Sequence, residues 1–225
     1  MGQEAFQRAR SPERKELRRA AILQAASAVL AREGVEATSL NGIAREAGMV
    51  KSNLYRYFES REEILLRLML LDFTDLLDDL EGQMKSGQSL REVASVFADG
   101  FVRRPRLCQF ISQLAITLER NVSGAVLREI KLDLMGKGGR AVAALGVAMP
   151  NVSEEGRLQA VHLLFSLVAG HWPMSNPTGE LKTLLAEPQF AAFNHDFASF
   201  LRDGLVTVLT GIAQNAADDK TVGPT

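Results

Sequence analysis

With 225 residues, 46% of them hydrophobic and 24% charged, the chain has the make-up of a globular protein with a sizeable core and not that of a disordered one. A single cysteine, Cys108, excludes an intrachain disulfide and points to a reducing compartment. The formal net charge of -1 hides an asymmetry: residues 1–61 hold 11 Lys+Arg against 7 Asp+Glu, whereas the rest hold 15 against 20, so an electropositive end precedes an electronegative body.

The N-terminus, MGQEAFQRARSPERKELRR, is charged and lacks the apolar core of a secretory signal. No apolar run reaches the roughly 18 residues of a membrane span, so the expectation is a cytoplasmic protein. From Pro12 to Arg32, Leu17, Ala21, Ile22, Ala25, Val29 and Leu30 recur at helical spacing, and Gly34 follows where a left-handed cap ends a helix. Thr38 or Ser39 then offers an N-cap oxygen to a short second helix carrying Leu40, Ile43, Ala44 and Ala47, which stops at Gly48. A third segment, KSNLYRYF, sets Leu54 and Phe58 on one face. The fourth, from Ser60 to about Glu81, opens with Ser60 and Glu63 in a capping-box pattern. Further helices are expected near 89–103, 105–120, 122–145, 153–171 and 188–213, with HWPMSNPTGE as a loop and Pro105, Pro150, Pro173, Pro177 and Pro188 as punctuation. No segment alternates with the period of a strand, so the fold class is all-α.

Two short helices joined by a tight glycine turn, behind a longer helix, form the arrangement that lets one helix enter a DNA major groove. Leu40, Ile43, Ala44, Leu54 and Phe58 would fix the interhelical angle. The third helix then exposes Lys51, Ser52, Asn53, Tyr55 and Tyr57. Lys51 suits a phosphate or a guanine edge, Asn53 suits base edges and the Tyr55 hydroxyl suits a phosphate. Thr38 and Ser39, with the free N–H groups beside them, and Arg61 at the start of the fourth helix, are further candidates for holding the DNA backbone. Arg8, Arg10, Arg14, Lys15, Arg18 and Arg19 form a basic arm that either tracks phosphates or is simply solvated.

The run TSLNGIAREAGMVKSNLYRYFESREEIL resembles the DNA-binding motif of the TetR family of bacterial regulators, which pairs an IAxxAG second helix with a LYxxF third helix and a charged opening of the fourth. The likeness covers roughly residues 17–66. It implies a homodimer with residues 1–60 as the helix-turn-helix head and residues 61–214 as a helical body that binds a small-molecule effector and dimerises; residues 215–225, NAADDKTVGPT, are polar and small and are expected to form a flexible tail. It further implies a repressor that binds a double-stranded operator and is released by its effector. Carried over by position, the DNA contacts fall on Thr38, Ser39, Lys51, Ser52, Asn53, Tyr55, Tyr57 and Arg61. One departure stands out: many members have Val-Ser at the turn where this chain has Met49-Val50, which removes a hydroxyl from the readout.

In the body, Leu158, Val161, Phe165 and Val168, with Leu164 and Leu167, form one stripe, and Phe190, Phe193, Phe197, Phe200, Leu201, Leu205 and Val208 form another. These are expected to build a dimer interface through Leu158, Val161, Phe165, Val168, Phe193, Phe197, Phe200 and Leu201. Effector candidates of mixed chemistry are Phe110, Gln113, Leu114, Thr117, Met135, His162, Phe165 and Trp172. His162, His171 and His195 lack metal-ligand spacing, so no metal and no cofactor are expected. The absence of GxSxG, P-loop, HExxH and dinucleotide-turn motifs argues against an enzyme. Asp72, Asp75, Asp78 and Asp79 are expected on a solvated helix face. The alternative to a regulator is a helical ligand-binding or interaction module that has lost DNA binding.

Overall fold

The computed structural model describes the backbone of residues 2–221 and the side chains of residues 13–217. Among these it contains ten α-helices and no strand, as the helical periodicity requires. The chain divides into two compact units, Met1–Leu70 with Ala115–Ile130, and Leu71–Leu114 with Lys131–Thr225. The division therefore falls inside two long helices, and a segment from the middle of the chain groups with the head, which a cut at residue 60 does not anticipate.

In the first unit, α1 (Gly2–Ala37) starts well before Pro12 and is interrupted at Gly34, whose φ of 78° is open to a residue without Cβ. Next come α2 (Leu40–Glu46), α3 (Lys51–Leu54) and the first part of α4 (Arg61–Gln83). Ser39, and not Thr38, is the N-cap of α2: its Oγ accepts from Gly42 N at 3.1 Å. The helix ends in a Schellman arrangement, with Gly48 N donating to Arg45 O (3.1 Å) and Met49 N to Ala44 O (2.9 Å), while Gly48 sits at φ 64°. Ile22, Ala26, Val29, Ile43, Ala44, Leu54, Phe58, Ile64 and Leu65 are all buried and form the core of the head.

The second unit holds the rest of α4 together with α5 (Leu90–Val102), α6 (Pro105–Gln113), most of α7 (Gly124–Ala148), α8 (Glu154–Ser175), α9 (Gly179–Leu185) and α10 (Phe197–Thr221). Helix α8 packs between α6 and α10, and α10 lies against α5. Several boundaries differ from expectation. The helix expected to reach residue 120 stops at Gln113, followed by a π turn (Leu114–Leu118) and a 3-10 turn (Glu119–Asn121). The expected loop from His171 is helical as far as Ser175, with Pro173 accommodated inside α8, and Gly179–Leu185 forms a helix that the sequence did not suggest. The last long helix begins at Phe197, where Asp196 Oδ2 accepts from Ser199 N (2.7 Å), and Pro188–Phe193 is a separate 3-10 turn. Residues 215–221, expected to fray, continue α10.

The acidic stretch of α4 is not a freely solvated face. Asp72 is buried and takes a two-pronged bond from Arg106, Nε to Oδ2 at 2.8 Å and the second prong at 2.5 Å. Asp79 pairs with Arg104, and Arg140 bridges Asp78 (2.6 Å) and Glu81 (2.7 Å). These pairs join α4 to α6 and α7 within the second unit. The Arg104 and Arg140 guanidinium groups hold the Asp79 and Glu81 carboxyls below the usual carboxylate range through hydrogen bonds.

Candidate nucleic-acid interface

Helix α3 is held in place by its apolar side. Leu54 and Phe58 are fully buried, and three backbone bonds, from Arg56 N to Asn53 O (3.2 Å) and from Tyr57 N and Phe58 N to Leu54 O (2.9 and 3.1 Å), continue the turn past Leu54. Arg19 of α1 clamps this end. Its guanidinium donates to Tyr57 O, lies 4.3 Å from the Phe58 ring centroid and reaches Glu63 at 3.4 Å. Glu63 is itself buried, and its carboxylate accepts from Glu59 N (2.8 Å) while Glu63 N donates to Ser60 Oγ (3.0 Å). The capping box at the start of α4 is thus present, with the carboxylate reaching one residue further back than Ser60.

The opposite side of α3 faces outward. Lys51, Ser52, Asn53, Tyr55 and Arg56 are exposed and Tyr57 is half-buried. Lys51 Nζ lies 6.0 Å from the centre of the Tyr55 ring. A shallow depression of about 500 Å³ is lined by Thr38, Ser39, Lys51, Tyr55 and Arg61, together with Glu36, Leu40, Glu59, Ser60 and Glu62. Five of the eight sequence-derived contact residues are therefore brought to one surface hollow. Ser52, Asn53 and Tyr57 lie outside it.

Three of the eight have intramolecular work, and of these Ser39 caps α2 as described above. Thr38 is only 2% exposed, and its hydroxyl donates to Gly34 O at 2.6 Å. Arg61 donates through Nε to Thr38 O (2.6 Å), through one terminal nitrogen to Val35 O and through the other to Glu62 (3.0 Å), so it ties α4 to the α1–α2 connection. Sequence reasoning missed the Arg19 clamp, because a basic residue on a helix next to a motif reads as solvated. Of the basic arm, Arg14, Lys15 and Arg18 are exposed, and the side chains of Arg8 and Arg10 lie outside the described residues.

The effector candidates differ in burial. Phe110 and Leu114 are core, and Gln113, Phe165 and Trp172 are half-buried, with Phe165 stacked on Phe73 at 6.0 Å and Trp172 edge-on to Phe197 at 5.0 Å. Thr117 and His162 are exposed, and Met135 is 71% exposed. The expected dimer face also needs correction. Val168, Phe197 and Leu201 are buried inside the chain by the packing of α8 and α10, so their area is already covered there. Leu158, Phe193 and Phe200 remain uncovered, and Val161 and Phe165 are half-buried. Burial pushes the Cys108 thiol up to about 12, which leaves it an inert core residue. Among the described residues no helix is long and apolar enough to cross a membrane, and no cluster of three or more metal-ligating side chains is found.

A helix-turn-helix with its polar side outward, continued through α4 into a helical body, defines the class of DNA-binding transcription regulators, which are not enzymes. Residues 22–68 match the family described as bacterial regulatory proteins, tetR family, and residues 70–216 match the tetracyclin repressor-like C-terminal domain; the chain belongs to the TetR family. Among curated relatives it is similar to the uncharacterised HTH-type transcriptional regulator YfiR of Bacillus subtilis, 39% identical over 57 residues, and to the HTH-type transcriptional regulator Mb1846 of Mycobacterium bovis, 44% identical over 48 residues. These matches cover 25% and 21% of this chain and span only 28% and 20% of those proteins' own lengths. Among solved structures, the lauroyl-CoA complex of the repressor FadR from Thermus thermophilus has a TM-score of 0.57 at 19% identity, covering 86% of this chain and 94% of that one. The fatty acid degradation regulator FadR from Bacillus halodurans has a TM-score of 0.53 at 17% identity, covering 85% and 94%. At such identities the likeness is one of fold.

Proposed function

We propose that the protein is a cytoplasmic, homodimeric repressor that binds an operator through residues 1–60 and is released when a small-molecule effector binds the helical part at 61–214. The observation that carries this reading is the division of α3: Leu54 and Phe58 hold the helix to the head, and Lys51, Ser52, Asn53 and Tyr55 are left free to meet base edges and phosphates. Tyr57 follows that row in the chain, Ser39 lines the same hollow as Lys51 and Tyr55, and Thr38 and Arg61 line it while bonded to the α1–α2 connection. In a dimer the two heads occupy successive major grooves about 34–36 Å apart.

The dimer is built on the outward sides of α8 and α10, through Leu158, Val161, Phe165 and Phe200. An effector belongs to the second unit, where the half-buried Gln113, Phe165 and Trp172 can meet a ligand without unpacking the core. The Thermus thermophilus FadR neighbour was solved with lauroyl-CoA, an example of a ligand in this fold, and here the effector's class is left to experiment. Effector binding releases DNA only to the extent that it favours the state in which the heads are wrongly spaced.

The decisive experiment selects bound fragments from genomic DNA and then measures affinity for the recovered site. Changing Lys51 and Tyr55 together to Ala should weaken binding by on the order of a hundredfold while unfolding is unchanged. Unaltered affinity in that variant would remove α3 as the reading element and favour the module that has lost DNA binding.

A further inference from the structure

The turn between α2 and α3 ends in a residue that the packing of the head does not use. Val50 is 63% exposed, whereas Met49 before it is half-buried and Leu54, one turn on, is fully buried. Val50 is the N-cap of α3, at φ −81° and ψ 146°. Valine is among the poorest residues for that place, because it has no side-chain oxygen to accept from the first N–H groups of a helix. A serine would serve α3 better, as Ser39 serves α2. Valine here therefore gives the fold neither burial nor a cap, and a local rule broken without structural gain points to function. The backbone around it is fixed on both sides, by Met49 N donating to Ala44 O (2.9 Å) and Asn53 N to Val50 O (3.0 Å). The second bond closes a turn, so positions 50 and 53 are neighbours across it. Lys51 and Tyr55 line the polar hollow, and Val50 and Asn53 lie outside it.

We infer that Val50 reads the C5 methyl group of a thymine in each operator half-site, an inference that rests on the DNA-binding reading above. In a helix-turn-helix the leading residues of the second helix are the ones that meet base edges. A valine side chain neither donates nor accepts a hydrogen bond, so phosphate oxygens and most base atoms offer it nothing. The thymine methyl is the apolar group that a base pair shows in the major groove, and covering it with the valine methyls takes both out of water. Asn53, across the turn, carries the amide that suits the major-groove edge of adenine. The two side chains together fit A·T pairs, and a G·C pair under Val50 has no methyl to offer. Val50 thus supplies apolar base readout beside the hydrogen-bonding groups of α3, at the place where a hydroxyl is missing from the turn.

The test uses the full chain and the operator recovered by genomic selection, with each thymine replaced in turn by deoxyuridine, which pairs alike and lacks only the methyl. Wild type should lose about fourfold in affinity at one thymine per half-site, and about fifteenfold when both are replaced. Val50→Ala should bind the natural operator more weakly and be indifferent to deoxyuridine at those positions. Val50→Ser should show the same indifference with an unfolding midpoint at or above that of wild type, since serine caps α3, so a damaged fold would not account for the lost readout. If no thymine responds, or if wild type and both variants respond alike, Val50 does not read the methyl; α3 remains the reading element so long as the Lys51 and Tyr55 double variant loses affinity. A wild type that selects no DNA fragment overturns both.

Discussion

Arg61 illustrates how a residue matched to a motif by position can also have work inside the fold. By position it belongs to the DNA-contacting set, yet its guanidinium donates to Thr38 O, Val35 O and Glu62, and its side chain is only 22% exposed. Replacing it with Met should cost about 1–3 kcal/mol in urea unfolding, because two backbone carbonyls lose a charged donor; a variant as stable as wild type would return Arg61 to a purely DNA-contacting role. His171 makes a different point. It is buried, its Nε2 has no hydrogen-bond partner, and burial first, then the nearby His195, hold its pKa below the ordinary histidine value. The rings packed on it, Phe197 and Phe200, are uncharged. The neutral form is therefore the one the fold accepts. Its contribution to stability is present above about pH 6.5 and is lost as the pH falls through the lowered folded value. Thermal unfolding followed from pH 7.5 down to 5 should show stability declining, and His171→Phe should flatten that decline; an equally steep decline in the variant would place the titrating group elsewhere.

At the scale of elements, legibility followed how one-sided each helix is. In the head every helix has a single apolar face and a chemically marked end, so Ile43, Ala44, Leu54 and Phe58 could be assigned inward and Lys51, Asn53 and Tyr55 outward from spacing alone. Helix α8 has apolar residues on more than one side. Its buried stripe is Ala160, Leu164, Val168 and His171, rotated from the stripe through Leu158 and Phe165 that the sequence suggested. Periodicity finds such a helix but cannot say which side its neighbours cover. The four phenylalanines read as one face likewise divide, because Asp196 restarts the helix after Phe190 and Phe193. The acidic residues of α4 looked solvated because their arginine partners lie about 25–60 residues away in sequence. The turn between α2 and α3 is the element most tightly specified by one residue. Gly48 sits at φ 64° with nothing within 4 Å of an added Cβ, so Gly48→Ala meets conformational strain and no clash. It should destabilise the head by about 1 kcal/mol in chemical denaturation. An unchanged midpoint would mean the turn tolerates a side chain and that the Schellman bonds do not depend on glycine.

For the molecule as a whole, the distribution of charge matters more than its sum. The net charge of -1 would by itself repel DNA, but the excess of basic residues lies in the first 61 and the excess of acidic ones in the rest. At physiological ionic strength fields decay over about 8 Å, so DNA at the head feels the head. The hollow that holds Lys51, Ser39 and Tyr55 also carries Glu36, Glu59 and Glu62, of which Glu62 is paired to Arg61 and Glu59 accepts from Ser123 N. Such carboxylates penalise a loosely placed backbone and leave only a few productive phosphate positions, so binding should depend on salt less steeply than in a uniformly basic protein. Each phosphate neutralised contributes about 0.9 to the slope of log affinity against log salt. The dimer's affinity for its operator should therefore fall with added salt despite the negative net charge. If Lys51 of each head neutralises one phosphate, Lys51→Ala should flatten the slope by about 2 for two heads. If the slope stays the same while affinity drops, Lys51 reads a base and not the backbone, and the phosphates are held instead by neighbouring groups such as Ser39 and Tyr55.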